Sequence, residues 1–259
     1  MIDATGSPAP PSPPVVAAEP RQRWRLTFAR DPVTADAVGR SGLDAWQAAL
    51  ADSGLPLAGL EAGGVGRARI AIAAPLPAAA AGEAELAEVW LLQRLPLWVV
   101  REALAARLPA AHRWIDAEDV WLGAPALAGR VVAADWRVEV ESVLPAGREE
   151  VPADLADRLA AAAAALLAAR TLPRVRVKGS VEKVYDFRPL LADLSIDAGG
   201  NFPTVVRLRT RIEPELGSGR PEEVVAALAE AADWPIGVGT VVRERLLLAD
   251  GPGALRRRP

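Results

Sequence analysis

Apolar and polar residues alternate over Trp24–Phe28, which predicts a strand, and from roughly Thr34 to Asp52 apolar residues recur at helical spacing until Gly54 stops the helix. Alternation returns over Arg67–Ala73 and Glu85–Leu92. After Pro96 comes a helix, Leu97–Arg107, and then a strand, Trp114–Leu122. The order is β-α-β-β-α-β, the split arrangement of ferredoxin-like domains. The second half repeats it. Val132–Val140 alternates, and Pro152, whose fixed φ suits a first helical turn, opens a helix that runs through the alanine tract to about Ala169. Strands follow around Arg174–Val177, over Val184–Ser195 with a bend near Pro189, and over Thr204–Ile212; helix Pro221–Ala232 and strand Val241–Ala249 close the set. The pattern predicts an α+β protein of two tandem ferredoxin-like (βαββαβ) domains, residues 22–125 and 130–250, joined near Gly123–Gly129. The halves are expected to superpose as separate units, without one continuous sheet.

The flanks differ from this body. Residues 1–21 carry Pro8, Pro10, Pro11, Pro13, Pro14 and Pro20 among Ala and Ser and read as a disordered or polyproline-type arm, while 251–259 form a basic tail. A 51% apolar content is ample for two cores, and seven of the eight tryptophans lie at or before Trp136, so the first domain is expected to pack around them. The arm lacks the basic start and long apolar run of a signal peptide, and the apolar Ala160–Ala169 is too short to span a membrane, so a cytoplasmic protein with no membrane association is expected.

The absence of cysteine removes disulfides, thiolate nucleophiles, iron–sulfur ligation and the usual structural zinc. With one histidine, His112, a His-rich metal site is excluded as well, and no metal or other cofactor is expected. His112 lies where a helix gives way to a strand, a position suited to a cation at a helix C-terminus. Asp116, Glu118 and Asp119 make one short acidic cluster, weak grounds for a magnesium site. Gly63-Gly64-Val65-Gly66 lacks the Lys-Ser/Thr of a P-loop and is not read as a nucleotide site.

Charge is unevenly placed. Residues 1–169 carry 15 basic and 21 acidic side chains, residues 170–259 carry 15 and 12, so a phosphate-binding surface would belong to the second half. The only two lysines and the only tyrosine fall in Lys178–Pro189, in a chain that otherwise uses arginine. Arg207, Arg209 and Arg211 alternate along one strand and share a face, which is either a solvated sheet surface or a track for a phosphate backbone. Few aromatics accompany them, only Tyr185, Phe187 and Phe202, which favours partner docking over sequence-reading RNA recognition. Asp186 and Arg188, two apart on a strand, point to one face, where a salt bridge to a neighbouring strand is expected. Arg220 precedes a helix that Pro221, Glu222 and Glu223 open, so ordinary capping is expected there. The binding candidates are therefore Lys178, Lys183, Asp186, Arg188, Arg207, Arg209, Arg211 and Arg220. Substituting Lys183 and Arg188 is expected to weaken binding with little loss of stability.

Asp186-Phe187-Arg188-Pro189-Leu190-Leu191-Ala192-Asp193-Leu194 and Gly217–Leu228 resemble the second-half signatures of the radical-SAM-linked family of unknown function, DUF2344. The resemblance extends through Ser41-Gly42-Leu43-Asp44, Gly54-Leu55-Pro56-Leu57 and Ala74-Pro75-Leu76-Pro77, over about residues 22–250. Two departures stand out: Gly42 replaces the family's usual His, and Leu60–Gly66 replaces a Tyr-Ser-x-Gly-Phe-Asn-Pro loop. The resemblance implies a non-catalytic accessory or binding partner of a separate radical SAM protein, with a link to RNA metabolism or translation. The alternative is an RNA-binding or RNA-processing protein using the basic second-half sheet; no DNA partner is expected.

Overall fold

The computed structural model describes residues 18–33, 42–61, 66–147, 150–178, 181–197 and 203–249; of Val177, Lys178, Val181 and Lys183 only the backbone is described. The arm before residue 18, the beginning of the first expected helix, most of the glycine loop, Phe202 and the basic tail lie outside these residues. The first half runs β1 (Gln22–Arg30), α1 (Gly42–Asp52), β2 (Ile70–Ile72), β3 (Ala81–Leu91), α2 (Leu97–Ala105) and β4 (His112–Asp119). A short helix, α3 (Leu127–Arg130), leads into β5 (Val131–Ser142), α4 (Leu155–Ala168), β6 (Pro173–Lys178), β7 (Val181–Asp186), β8 (Leu191–Asp197), β9 (Thr204–Glu213), β10 (Gly217–Ser218), α5 (Pro221–Ala231) and β11 (Ile236–Leu248).

The helices form where the pattern demands. In α4, Leu155, Leu159, Ala162, Ala163 and Leu166 are buried, a stripe at helical spacing, and the small alanines allow close packing on the sheet. In α5, Pro221 occupies the first turn with Glu222 and Glu223, and Val224, Val225, Ala227 and Leu228 face inward. Along β9, Thr204, Val206, Leu208 and Thr210 are buried while Arg207 is exposed, the period-two signature of a sheet with one covered face.

Within the first half the strands lie in the order β4-β1-β3-β2, and within the second β11-β5-β9-β8, all antiparallel. Two separate sheets do not result. β11 pairs in parallel with β3 through Val242↔Ala81 and Arg243↔Gly82, so nine strands make one continuous mixed sheet. The edge of β3 beyond the three-residue β2 is left open, and β11 fills it. A second correction concerns Val184–Ser195, expected as one bent strand. It is two strands in different sheets, separated by a 3-10 turn at Arg188–Leu190, and β6–β7 forms its own two-stranded ribbon.

The core divides by halves. Trp24, Leu26, Phe28, Trp46, Leu50, Val89, Val100 and Leu104 form one cluster. Trp136, Val138, Leu159, Leu166, Phe187, Leu190, Val206, Leu208 and Leu228 form the other, which Ala73, Ala74 and Ala80 of the first half also join. The tryptophans do not all serve the first core: Trp136 and Trp234 belong to the second, and Trp98 and Trp121 are 67% and 77% exposed.

The seam is charged and buried. Arg243 forms a two-pronged ion pair with Glu85 and donates to the carbonyls of Ala74 (3.0 Å) and Pro75 (3.1 Å). On β1, Arg23 and Arg25 share the Glu88 carboxylate, which is fully buried. Arg23 also reaches the carbonyls of Ala124 (2.7 Å) and Pro125 (3.0 Å), tying the inter-half link across the sheet.

Candidate functional site

Among the candidate cations whose side chains are described, Arg188, Arg207 and Arg209 are occupied within the protein, while Arg211 and Arg220 have no side-chain partner among the described residues. Asp197, Arg207, Glu244, Arg137 and Glu83 form an unbroken chain of ion pairs across β8, β9, β11, β5 and β3, from one half to the other. Asp135 is held between Arg209 (2.5 Å) and Arg245 (2.7 Å). Burial works to raise the Asp135 pKa, but the hydrogen bonds from the two guanidinium groups outweigh it and hold the carboxyl below its usual range. Arg207 and Arg209 are pushed upward by Asp197 and Asp135 respectively. The three arginines do share the exposed face, as alternation requires, yet only Arg211 lacks a partner among the described residues.

Asp186 and Arg188 act on the backbone rather than on each other's charge. Asp186 ends β7 and its Oδ1 accepts from the backbone N–H of Leu172 (2.7 Å) and of Arg188 (3.0 Å). Arg188 turns back onto the C-terminus of α4, donating from Nη2 to Leu167 O (2.6 Å), from Nε to Ala169 O (3.1 Å) and from Nη1 to Leu191 O (2.6 Å). The expected cross-strand salt bridge does not form, because Asp186 and Arg188 are not on one strand: the 3-10 turn begins at Arg188. Arg220 is the exposed N-cap of α5, with no partner among the described residues. The side chains of Lys178 and Lys183 lie outside the description; their backbones stand near the tip of the ribbon and pair with Val181 and Arg176.

The ribbon has two unlike faces. Arg174 pairs with Glu230 (2.9 Å), and Arg176 contacts Glu223 (3.3 Å), the Tyr185 hydroxyl (3.1 Å) and the face of its ring (4.7 Å). These contacts lay one face on α5. Burial and the Glu223 carboxylate push the Tyr185 hydroxyl up to about 12. On the other face Val175 and Val184 sit directly opposite one another, 56% and 70% exposed.

A site that charge and motif reading did not single out lies in the first half. A cleft of about 880 Å³ opens between the first turn of α1, the ends of β1 and β4 and the 73–80 loop. Phe28, Trp46 and His112 form its aromatic wall, with ring centroids 5.0 to 5.7 Å apart. His112 caps no helix: it is the first residue of β4, and its Nδ1 faces the Ala110 carbonyl at 2.9 Å. Burial is the largest influence on this imidazole and lowers its pKa. Arg30 is held by the carbonyls of Leu76, Pro77, Ala78 and Ala80, and Glu85 by Arg243. Two of the segments that carry the family resemblance meet here, Gly42–Leu43 and Ala74–Leu76, while the third goes to the core through Leu55 and Leu57. Their convergence on the only histidine was the signal available in the sequence. The acidic trio on β4 is dispersed: Glu118 pairs with Arg25, Asp119 with Arg94, and Asp116 accepts from the Ala117 N–H. Among the described residues no group of three or more His, Asp or Glu side chains is placed to hold a metal, and no helix is long and apolar enough to cross a membrane.

Fold and site define an α+β protein with one large mixed sheet, an appended ribbon and a cleft beside the seam of its halves. A family model described as an uncharacterized protein conserved in bacteria (DUF2344) matches residues 53–224, and the chain belongs to that family. Among curated proteins nothing matches the chain.

Proposed function

We propose that this protein is a non-catalytic accessory module that acts in the cytoplasm and binds a separate radical SAM protein through the β6–β7 ribbon. The family resemblance supplies the partner, and with it a link to RNA metabolism or translation. The observation that carries the contact is the bare Val175–Val184 pair, on a ribbon whose outer edges are unpaired among the described residues. Exposed apolar surface on an unpaired ribbon favours protein association. The concentration of both lysines in the same ribbon favours fast, salt-sensitive encounter. We also read each half as a ferredoxin-like unit, fused edge to edge, on the strength of the shared strand order.

The RNA-binding alternative needs free cations on the outer sheet face, and Arg207 and Arg209 are already neutralised by carboxylates. The test is co-expression with the radical SAM protein of the same genome, followed by affinity capture and the absorbance ratio of the purified sample. Capture by the wild type, lost in Val184→Glu with the melting temperature held, supports the docking reading. Failure to capture, together with retained nucleic acid, replaces it with the RNA reading.

A further inference from the structure

We infer that the first-half cleft is a binding site for an uncharged, apolar-bodied small molecule that carries one N–H or O–H donor, which it presents to Nε2 of His112. The inference is independent of the partner and of the ribbon.

The volume, about 880 Å³, is that of a small-molecule site rather than a macromolecular groove. Its walls are apolar: the rings of Phe28 and Trp46 are set edge to face, and Leu43, Pro75 and Leu76 line the mouth. Both charged side chains on the cleft are already engaged: the terminal nitrogens of Arg30 are wrapped by four loop carbonyls, which leaves only its Nε buried without a partner, and Glu85 is clamped by Arg243, so the terminal groups of both are taken. Burying a charged ligand against such walls without a partner is unfavourable.

The donor requirement follows from one hydrogen bond. A carbonyl only accepts, so the Nδ1 facing Ala110 O carries the hydrogen, and Nε2 of the neutral ring presents a lone pair. Burial keeps the ring neutral near pH 7. The backbone is bent to produce this arrangement. Ala111 sits at φ 65, in the left-handed region that a non-glycine residue rarely adopts, and its carbonyl is fixed by the Asp31 N–H (2.8 Å). Strain held this way beside a cleft aims Ala110 at His112 and fixes the tautomer. No described group accepts or donates at Nε2.

The test uses three probes on the full chain: indole, with an apolar body and one donor; 1-methylindole, with the same body and no donor; and indole-3-acetate, which adds a charge. Binding is read by amide and indole NMR shifts at Phe28, Trp46 and His112 together with saturation titration. Indole is expected to bind roughly two- to tenfold more tightly than 1-methylindole, the range a net hydrogen bond provides, and indole-3-acetate more weakly than indole. In His112→Phe, which keeps a ring but removes the acceptor, indole and 1-methylindole should bind alike. In Gly42→Phe, which adds a ring at a residue lining the cleft where a Cβ meets nothing within 4 Å, all binding should fall, and thermal melting establishes that the variant is folded. The inference is overturned if folded wild type binds none of the probes saturably, if the shifts lie away from the cleft, or if the preference for indole survives in His112→Phe.

Discussion

Replacing Arg188 with Ala separates a structural from a surface role for the Asp186–Leu194 segment. The last carbonyls of a helix have no partner within it, and here one guanidinium serves Leu167 and Ala169 at the end of α4 while also holding Leu191 at the start of β8. The side chain thus joins a helix C-terminus to the strand that packs beneath it, with the positive charge on the favourable end of the helix dipole. Hydrogen bonds to charged groups contribute about 1.5–3 kcal/mol each. Arg188 is only half-buried, so water replaces part of what is lost, and a total of about 2–4 kcal/mol is expected for the variant. For a chain of this size that is a fall in Tm of roughly 5–15 °C. Urea unfolding followed by tryptophan fluorescence should show a lower midpoint with an unchanged slope. Arg188→Lys should recover less than half of the loss, because one ammonium does not span three carbonyls. A loss below about 0.5 kcal/mol, the range of an ordinary surface substitution, together with abolished partner capture, would refute the capping argument and restore the surface role read from the sequence.

Glu88→Ala should destabilise by about 3–5 kcal/mol, because it leaves the buried Arg23 guanidinium without a carboxylate and Arg25 with only the exposed Glu118, and Glu88→Gln somewhat less; denaturation at fixed pH measures both, and a change under about 1 kcal/mol would contradict the geometry. The lowered His112 pKa has a defined sign: the unfolded chain binds a proton near the ordinary 6.5 while the folded chain resists it, so stability falls as pH drops below that value toward the lower folded pKa. The slope is at most about 1.4 kcal/mol per pH unit, and it should be absent from the curve of His112→Gln, measured as Tm against pH, so that it appears in the difference between the two proteins; parallel curves would exclude it.

Periodicity exposed the elements because each depends on its own residues. The buried stripe of α4 and the alternation of β9 are local facts, and the pairing of the two middle strands in each half, β2 with β3 and β8 with β9, follows from a short connection. What escaped is nonlocal. Nothing in Ile236–Leu248 announces that its flank will meet the free part of β3, since both strands are apolar enough to be central in either arrangement. Near Pro189 the pattern stayed continuous, yet Pro189 lacks an N–H and the Asp186 carboxylate binds the Arg188 N–H, so the chain leaves one sheet and enters another. The candidate cations were found by type and count, and neither reveals a partner. Arg209 and Arg211 look alike in the sequence, but one guanidinium meets Asp135 from a strand 74 residues away and the other meets no described carboxylate.

The same distinction between having a charge and having it free explains why the halves do not separate. Parallel pairing between β11 and β3 covers two residue pairs, too few to fix a register by backbone bonds alone. Arg243 supplies the selectivity: its fork fits the Glu85 carboxylate while its remaining N–H groups meet the Ala74 and Pro75 carbonyls. A slip of one residue would leave a guanidinium and a carboxylate buried without partners, an error far more damaging than the net gain from forming the pair. The seam is therefore selected by what its alternatives would lose. Because Glu85 lies on the cleft as well as in the seam, Arg243 of the other half fixes the polar end of the cleft, and the shape of the cleft depends on the two halves being assembled in this one register.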